Sequence, residues 1–312
     1  MRPTVSGARR RFAQGGGGGG GGGFDGPTGG TLLANFKASV DHADGNPTVG
    51  VNFATVTKNG VQLFRDGSAT LWPCAHPILQ GPSYDGGAYV YRINNNSGPG
   101  ANELDFDLGT AFTEVFLEWW VYMPTGLESP SYGVRQYSGS ANGTANDKVF
   151  RLYNGTGGFG PAYDFANTSV KYGMSMRGTT AGTVQQCYLE RQRTVNVTAG
   201  AVAGTDFISI GEVSPQVRFD YAAADAYVGR WVRHRVQAKV ATSANNDGVM
   251  KFWLDDALVL SRTDLNTYAV NGGVGNLNSF QYGYLYGYRN SGIQGSKLYI
   301  DNITFSTVGF VA

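Results

Sequence analysis

From Thr31 onward the chain alternates apolar and polar residues in short runs, each closed by Gly, Asn or Pro. Alternation with a period of two is the mark of a strand with one buried face, and the closing residues are those that turns require. The pattern predicts strands over 32–36, 61–63, 88–93, 103–107, 115–123, 148–153, 171–177, 184–192 and 217–221. Two more, over 231–241 and 249–254, are joined by a turn at Asn246-Asp247-Gly248, because Asp-Gly between alternating runs favours the positive φ of a tight hairpin. A second tight turn at Asp255-Asp256 leads into 258–260, which makes three consecutive antiparallel strands. The stretches 94–100 and 138–146 read as loops, a single helical turn is expected over 221–227, and no internal repeat is visible. Many short strands and almost no helix predict a sandwich of two sheets.

The same alternation assigns faces. Over 115–123, Val115, Leu117, Trp119, Val121 and Met123 form an apolar face for the core, opposed by Phe116, Glu118, Trp120 and Tyr122. Aromatic rings beside a carboxylate suit a surface on which sugar rings stack and hydroxyls find a polar partner. Over 231–240, Val232, His234, Val236, Ala238 and Val240 oppose Trp231, Arg233, Arg235, Gln237 and Lys239. The second set could hold the carboxylates or sulfates of an anionic glycan or form an ordinary solvated face, while His234 is expected as a hydrogen-bonded core residue. In 281–288, Tyr282, Tyr284, Tyr286 and Tyr288 share one side with Gly283, Leu285 and Gly287 behind them, a ladder fit for glycan contact or for a subunit interface.

Taken in order, the Gly-x-Trp strand at 229–231, the Asn-Asp-Gly turn, WLDDALV at 253–259, KLYIDNITF at 297–305 and the aromatic strand VFLEWWVYMP at 115–124 resemble the concanavalin A-like lectin/glucanase superfamily. The resemblance implies an all-β, concanavalin A-like jelly-roll sandwich of two antiparallel sheets over 31–312. It spans lectins, glycosidases, polysaccharide lyases, laminin G-like modules and viral coat domains, so it implies no single activity.

Composition narrows the partners. Formal net charge is +1 and charged residues are 15% of the chain, so nothing steers it to nucleic acid or to an anionic membrane, and no apolar run is long enough for a membrane-spanning helix. Residues 1–14 carry Arg2, Arg9, Arg10 and Arg11 without an apolar block, which does not read as a secretory signal. Residues 15–23 are nine glycines, so the division expected is a basic segment 1–14, a flexible polyglycine tether 15–30 and a domain 31–312. Cys74 and Cys187 could form one bridge, and free thiols are the reading preferred for a chain without an export signal.

For chemistry, Glu103-Leu104-Asp105-Phe106-Asp107 resembles the Glu-x-Asp-x-Glu strand of retaining glucanases, but it ends in Asp and is expected on an outer-edge strand. The lyase motifs Arg-x-Glu-x-Arg and Tyr-x-Lys-x-Gly-x-Tyr are absent, although residues capable of lyase chemistry are present. Three histidines, His42, His76 and His234, form no convincing metal or triad set, and Asp301-Asn302 or Asn246-Asp247 could hold a structural calcium or simply form turns. The sequence therefore predicts a glycan-recognition module without assigned catalytic residues, metal or cofactor, contacting polysaccharide or cell-surface glycan through Glu118, Trp120, Tyr122, Arg233, Arg235 and Tyr282, Tyr284, Tyr286, Tyr288. It would be homo-oligomeric and joined to other subunits through residues 1–30, in the manner of phage virion decoration or fibre proteins, and located on a virion or outside the cell after non-classical release. The alternatives are a polysaccharide lyase with a ladder tyrosine as base and Arg233 or Arg235 as neutraliser, and a purely structural coat domain.

Overall fold

The computed structural model describes residues 24–42, 55–67, 70–73, 89–95, 102–122, 146–153, 171–178, 185–194, 205–212, 229–242, 247–265, 279–289 and 296–311. In chain order these form β1 (Thr31–Phe36), the short helix α1 (Ala38–Asp41), β2 (Val56–Lys58), β3 (Val61–Gly67), β4 (Thr70–Pro73), β5 (Tyr89–Asn95), β6 (Asn102–Phe112), β7 (Glu114–Tyr122) and β8 (Asn146–Tyr153). There follow β9 (Lys171–Gly178), β10 (Gln185–Thr194), β11 (Thr205–Glu212), β12 (Trp231–Lys239), β13 (Gly248–Leu254), β14 (Ala257–Leu265), β15 (Phe280–Arg289) and β16 (Ser296–Thr307).

The strands make two antiparallel sheets packed as a jelly-roll sandwich. One, here the β7 sheet, runs β14-β13-β12-β7-β16-β5-β4, with β1 also pairing β16; the other, the β15 sheet, runs β11-β10-β9-β8-β15-β6-β3-β2. Three consecutive antiparallel strands were expected around residue 250, and β12, β13 and β14 are those strands. Their second turn has φ of 46° at Asp255 and 73° at Asp256, the doubly positive geometry of a two-residue hairpin. Asn59 and Gly60, at 50° and 85°, make the same turn between β2 and β3. Three strands escaped the sequence reading. β2 and β4 are short, β11 pairs only with β10, and all three lie at sheet edges. The strand expected over 217–221, the helical turn over 221–227, Cys74 and the polyglycine run lie outside the described residues, whereas Cys187 is on β10 opposite Met176 of β9.

The core sits between the sheets, and the predicted faces supply it. Val115, Leu117, Trp119 and Val121 of β7 and Val232, Val236 and Ala238 of β12 are buried together with Leu104, Phe106, Phe150, Leu152, Phe280 and Leu285 of the β15 sheet. Ring contacts cross the interface, with Phe106 and Phe305 centroids 4.7 Å apart and Trp119 and Phe150 5.9 Å apart. His234 is 1% exposed and stacks near Trp119 at 5.3 Å and Phe252 at 5.5 Å, a core histidine as its face predicted.

The folded body also takes in residues assigned to the tether. Phe24 packs on the outer face of the β7 sheet, Thr28 forms a parallel bridge with Phe310, and Gly30 N donates to Phe310 O at 3.1 Å.

Candidate functional site

Residues directly opposite one another on antiparallel strands project to the same face. Across the β15 sheet, Gln62, Asp107, Tyr282 and Tyr153 form one such row, and Phe64, Asp105, Tyr284, Arg151 and Gly173 form the next. Their neighbours Leu63, Leu104, Phe106, Leu152 and Leu285 point into the core, so both rows lie on the outer face. A register shift between Phe280 and Tyr282 makes this possible, since it returns Phe280 to the core while sending Tyr282 and Tyr284 outward.

On this face the Tyr153 and Tyr282 rings are 6.2 Å apart, and the guanidinium carbon of Arg151 stands 5.7 Å from the centre of the Tyr284 ring. Asp107 Oδ1 accepts from Gly109 N at 2.8 Å, and the Gln281 amide approaches it at 3.4 Å. Burial, and then the negative charge of Asp107, push the Tyr282 phenol up, opposed by its hydrogen bond with Gln281, so Tyr282 holds its proton through neutral pH. Arg151 and Tyr284, each 3% exposed, form the floor of the face, whereas Tyr282, Gln281 and Asp107 are half-buried and Gln62 is exposed. Glycine makes room for this arrangement. A Cβ at Gly283 would lie 2.2 Å from Arg151 O and 2.3 Å from the Phe106 ring, so β15 can run here only without a side chain.

The strand that carries Asp105 and Asp107 was expected at an outer edge. It lies inside the sheet, with β15 on one side and β3 on the other, because its apolar residues Leu104, Phe106 and Leu108 are all needed in the core. The two aspartates consequently stand on the same face as Tyr282 and Tyr284. Arg151, Tyr153 and Gln281 were not singled out from the sequence. The alternation in KVFRLY at 148–153 places Arg151 and Tyr153 on one face and could have found them.

The other predicted contacts gather on the opposite outer surface. Glu118, Trp120 and Tyr122 of β7 stand beside Arg235, Arg233 and Trp231 of β12. The sandwich core separates them from the β15 tyrosines, so Arg233 and Arg235 cannot act with Tyr282 or Tyr284 as one site. These arginines are engaged internally. Arg235 Nε donates to Glu118 Oε2 at 2.5 Å, its other arm pairs with Asp256, and Arg233 pairs with the same Asp256. Arg235 also lies 4.0 Å from the Phe24 ring centre and is 7% exposed, and Tyr122 is 2% exposed. Arg233 stands 5.5 Å from the Trp120 ring and keeps partial exposure. The side chains of Tyr286 and Tyr288 lie outside the described residues.

Among the described residues no group of three or more His, Cys, Asp and Glu side chains converges as metal ligands would. Of the calcium candidates, Asp301 Oδ1 accepts from Ala38 N at 3.1 Å and Asn302 N at 2.9 Å, and Asp247 accepts from Thr242 N at 2.9 Å.

No family model matches the chain, and no curated protein matches its sequence. Solved structures of similar strand arrangement include a marine PL-14 alginate lyase from Aplysia kurodai, with 12% identity, a TM-score of 0.47, and coverage of 88% of this chain and 98% of that one. An endo-β-1,4-glucuronan lyase from the fungus Trichoderma reesei has 13% identity and a TM-score of 0.44, with 89% and 96% covered. The alginate lyase Aly36B has 14% identity and a TM-score of 0.41, with 89% and 94% covered. Similarity at this level concerns the layout of strands and leaves the chemistry to be read from the residues of this chain.

Proposed function

We propose that the chain binds polysaccharide along the outer face of the β15 sheet and cleaves uronate-containing chains by β-elimination. The observation that carries this reading is the meeting of Arg151, Tyr284, Tyr282 and Asp107 on adjacent rows of one sheet face. β-Elimination needs a cation to neutralise the uronate carboxylate, a base for the proton on the carbon beside it, and an acid for the departing glycosidic oxygen. Arg151 supplies the cation at the floor of the face, where separation from bulk water strengthens its field. Tyr284, acting as a phenolate beside that cation, accepts the proton. The electron pair of the broken carbon–hydrogen bond forms the new carbon–carbon double bond as the bond to the glycosidic oxygen breaks. Tyr282, which stays protonated, gives its proton to that oxygen, and the Tyr153 ring offers a stacking surface next to it. Known lyases of alginate and of glucuronan share this strand layout, which agrees with the reading without being its ground.

A second reading is favoured by the interior position of β6. Glu103, Asp105 and Asp107 occupy alternate positions of that strand beside β15, an arrangement that could serve glycoside hydrolysis by paired carboxylates. The test is to incubate the protein with uronate and neutral polysaccharides, following ultraviolet absorbance from unsaturated ends, new reducing ends and retention on immobilised glycan. Unsaturated ends on a uronate polymer support elimination, and reducing ends without unsaturation mean hydrolysis. Retention alone means a recognition module, and neither product nor retention overturns glycan function.

A further inference from the structure

The sequence preceding β1 has its own socket on the β7 sheet. The Phe24 ring sits edge-on to Trp253 at 5.6 Å and to Phe310 at 5.4 Å, and Phe310 contacts Phe116 at 5.1 Å. The Arg235 guanidinium covers Phe24 at 4.0 Å, and the indole N–H of Trp253 donates to Asp25 Oδ1 at 2.8 Å. Phe116, Trp253 and Phe310 are each 2% exposed or less, so this is a built pocket for one aromatic ring with a hydrogen-bond donor for the next residue's carboxylate.

The backbone is fitted as closely. Phe310 N donates to Pro27 O at 2.8 Å, and Gly30 N to Phe310 O at 3.1 Å. A Cβ at Gly30 would lie 1.7 Å from Gly309 O, so that position admits glycine alone, and one at Gly26 would lie 2.2 Å from the Phe24 ring and push it from its seat. Residues 24–30 thus follow one fixed path, and the nine glycines end immediately before it.

We infer that Phe24 and Asp25 clamp the chain to the outer face of the β7 sheet, so that the N-terminal arm departs from that side. The outer face of the β15 sheet is then turned away from the attachment. That second statement rests on the glycan-binding reading, whereas the clamp does not and is tested without glycan.

The experiment places paired spin labels in the full chain after Cys74→Ser and Cys187→Ser, one label at Gly22→Cys and the other at Lys251→Cys or Gln62→Cys. Lys251 is on β13 of the β7 sheet and shares the outer face of Trp253, and Gln62 is on the outer face of the β15 sheet. Two residues of chain reach no more than about 7 Å beyond Phe24, while the sheets alone are about 10 Å apart. The clamp predicts a shorter and narrower 22–251 distance than 22–62 distance, by about 10 Å or more. Adding Phe24→Ala with Asp25→Ala should broaden the 22–251 distribution and remove most of the difference. Trp253→Phe, which deletes the indole donor and trims the ring that packs on Phe24, should broaden it part of the way. Equal distances in the unmutated arm, or a 22–251 distance indifferent to these substitutions, would overturn the clamp.

Discussion

Replacing His234 with Leu should remove a specific acid sensitivity from the fold. The ring is buried between Trp119 and Phe252, with Nδ1 3.2 Å from Val232 O, and no partner for Nε2 occurs among the described residues. Burial is the dominant influence and lowers its pKa from 6.5 to about 4, with the Val232 carbonyl and Asp255 opposing. In the unfolded chain the imidazole takes up a proton below about pH 6.5, and in the folded chain only near pH 4. The unfolded state therefore binds more protons throughout that window, and stability falls as pH falls through it. At about 1.4 kcal/mol per pKa unit, His234 accounts for a loss of roughly 2.5 kcal/mol between pH 7 and pH 4.5. Urea unfolding of both proteins at the two pH values, followed by tryptophan fluorescence, isolates this contribution, because carboxylate titration is common to both. His234→Leu should be near neutral at pH 7, since it deletes a buried polar atom that lacks a partner. Equal losses of stability in the two proteins on acidification would refute the reasoning.

Other perturbations follow from the same structure. Arg235→Ala strands Glu118, leaves Asp256 with Arg233 alone and uncovers Phe24, so it should cost about 3 kcal/mol in chemical denaturation, against less than about 1 kcal/mol for the more exposed Arg233→Ala. Val308 is exposed with φ of 71°, a conformation unfavourable for a β-branched residue, and Val308→Gly should raise stability by about 0.5–1 kcal/mol, read as a higher Tm. Gly283→Ala should lower stability by more than about 3 kcal/mol or prevent folding, since the new methyl meets backbone as well as the Phe106 ring. Circular dichroism and soluble yield would show it.

Much of the sandwich was legible because it is built from half-buried strands. The faces of β7 and β12 follow from alternation, and the turn at Asp255-Asp256 follows from its place between two apolar runs. Asn59-Gly60, an equally plain turn signal, was passed over with the short strand β2 before it. The candidate face was legible only in part. Tyr282 and Tyr284 stood out as a ladder, but alternation says which residues share a side of a strand and not which sheet the strand joins. For that reason Arg233 and Arg235 were matched to the tyrosines, although β12 pairs with β7 and β15 pairs with β6 and β8. That Arg151 and Asp105 stand beside Tyr284 becomes visible only through the pairing of distant strands. The Phe24 clamp was hidden by its own sequence, since a Gly-rich stretch reads as tether until Phe310 and Trp253 are brought to meet it.

The central claim is that chemistry belongs to the outer face of the β15 sheet. The most direct measurement compares the formation of unsaturated ends from a uronate polysaccharide by the unmodified protein, Tyr282→Phe and Arg233→Ala, each confirmed folded by circular dichroism. Loss of the phenolic proton donor is worth about 100-fold or more in rate, so the account predicts that decrease for Tyr282→Phe and an unchanged rate for Arg233→Ala on the opposite face. A full rate in Tyr282→Phe, or a loss confined to Arg233→Ala, would contradict it.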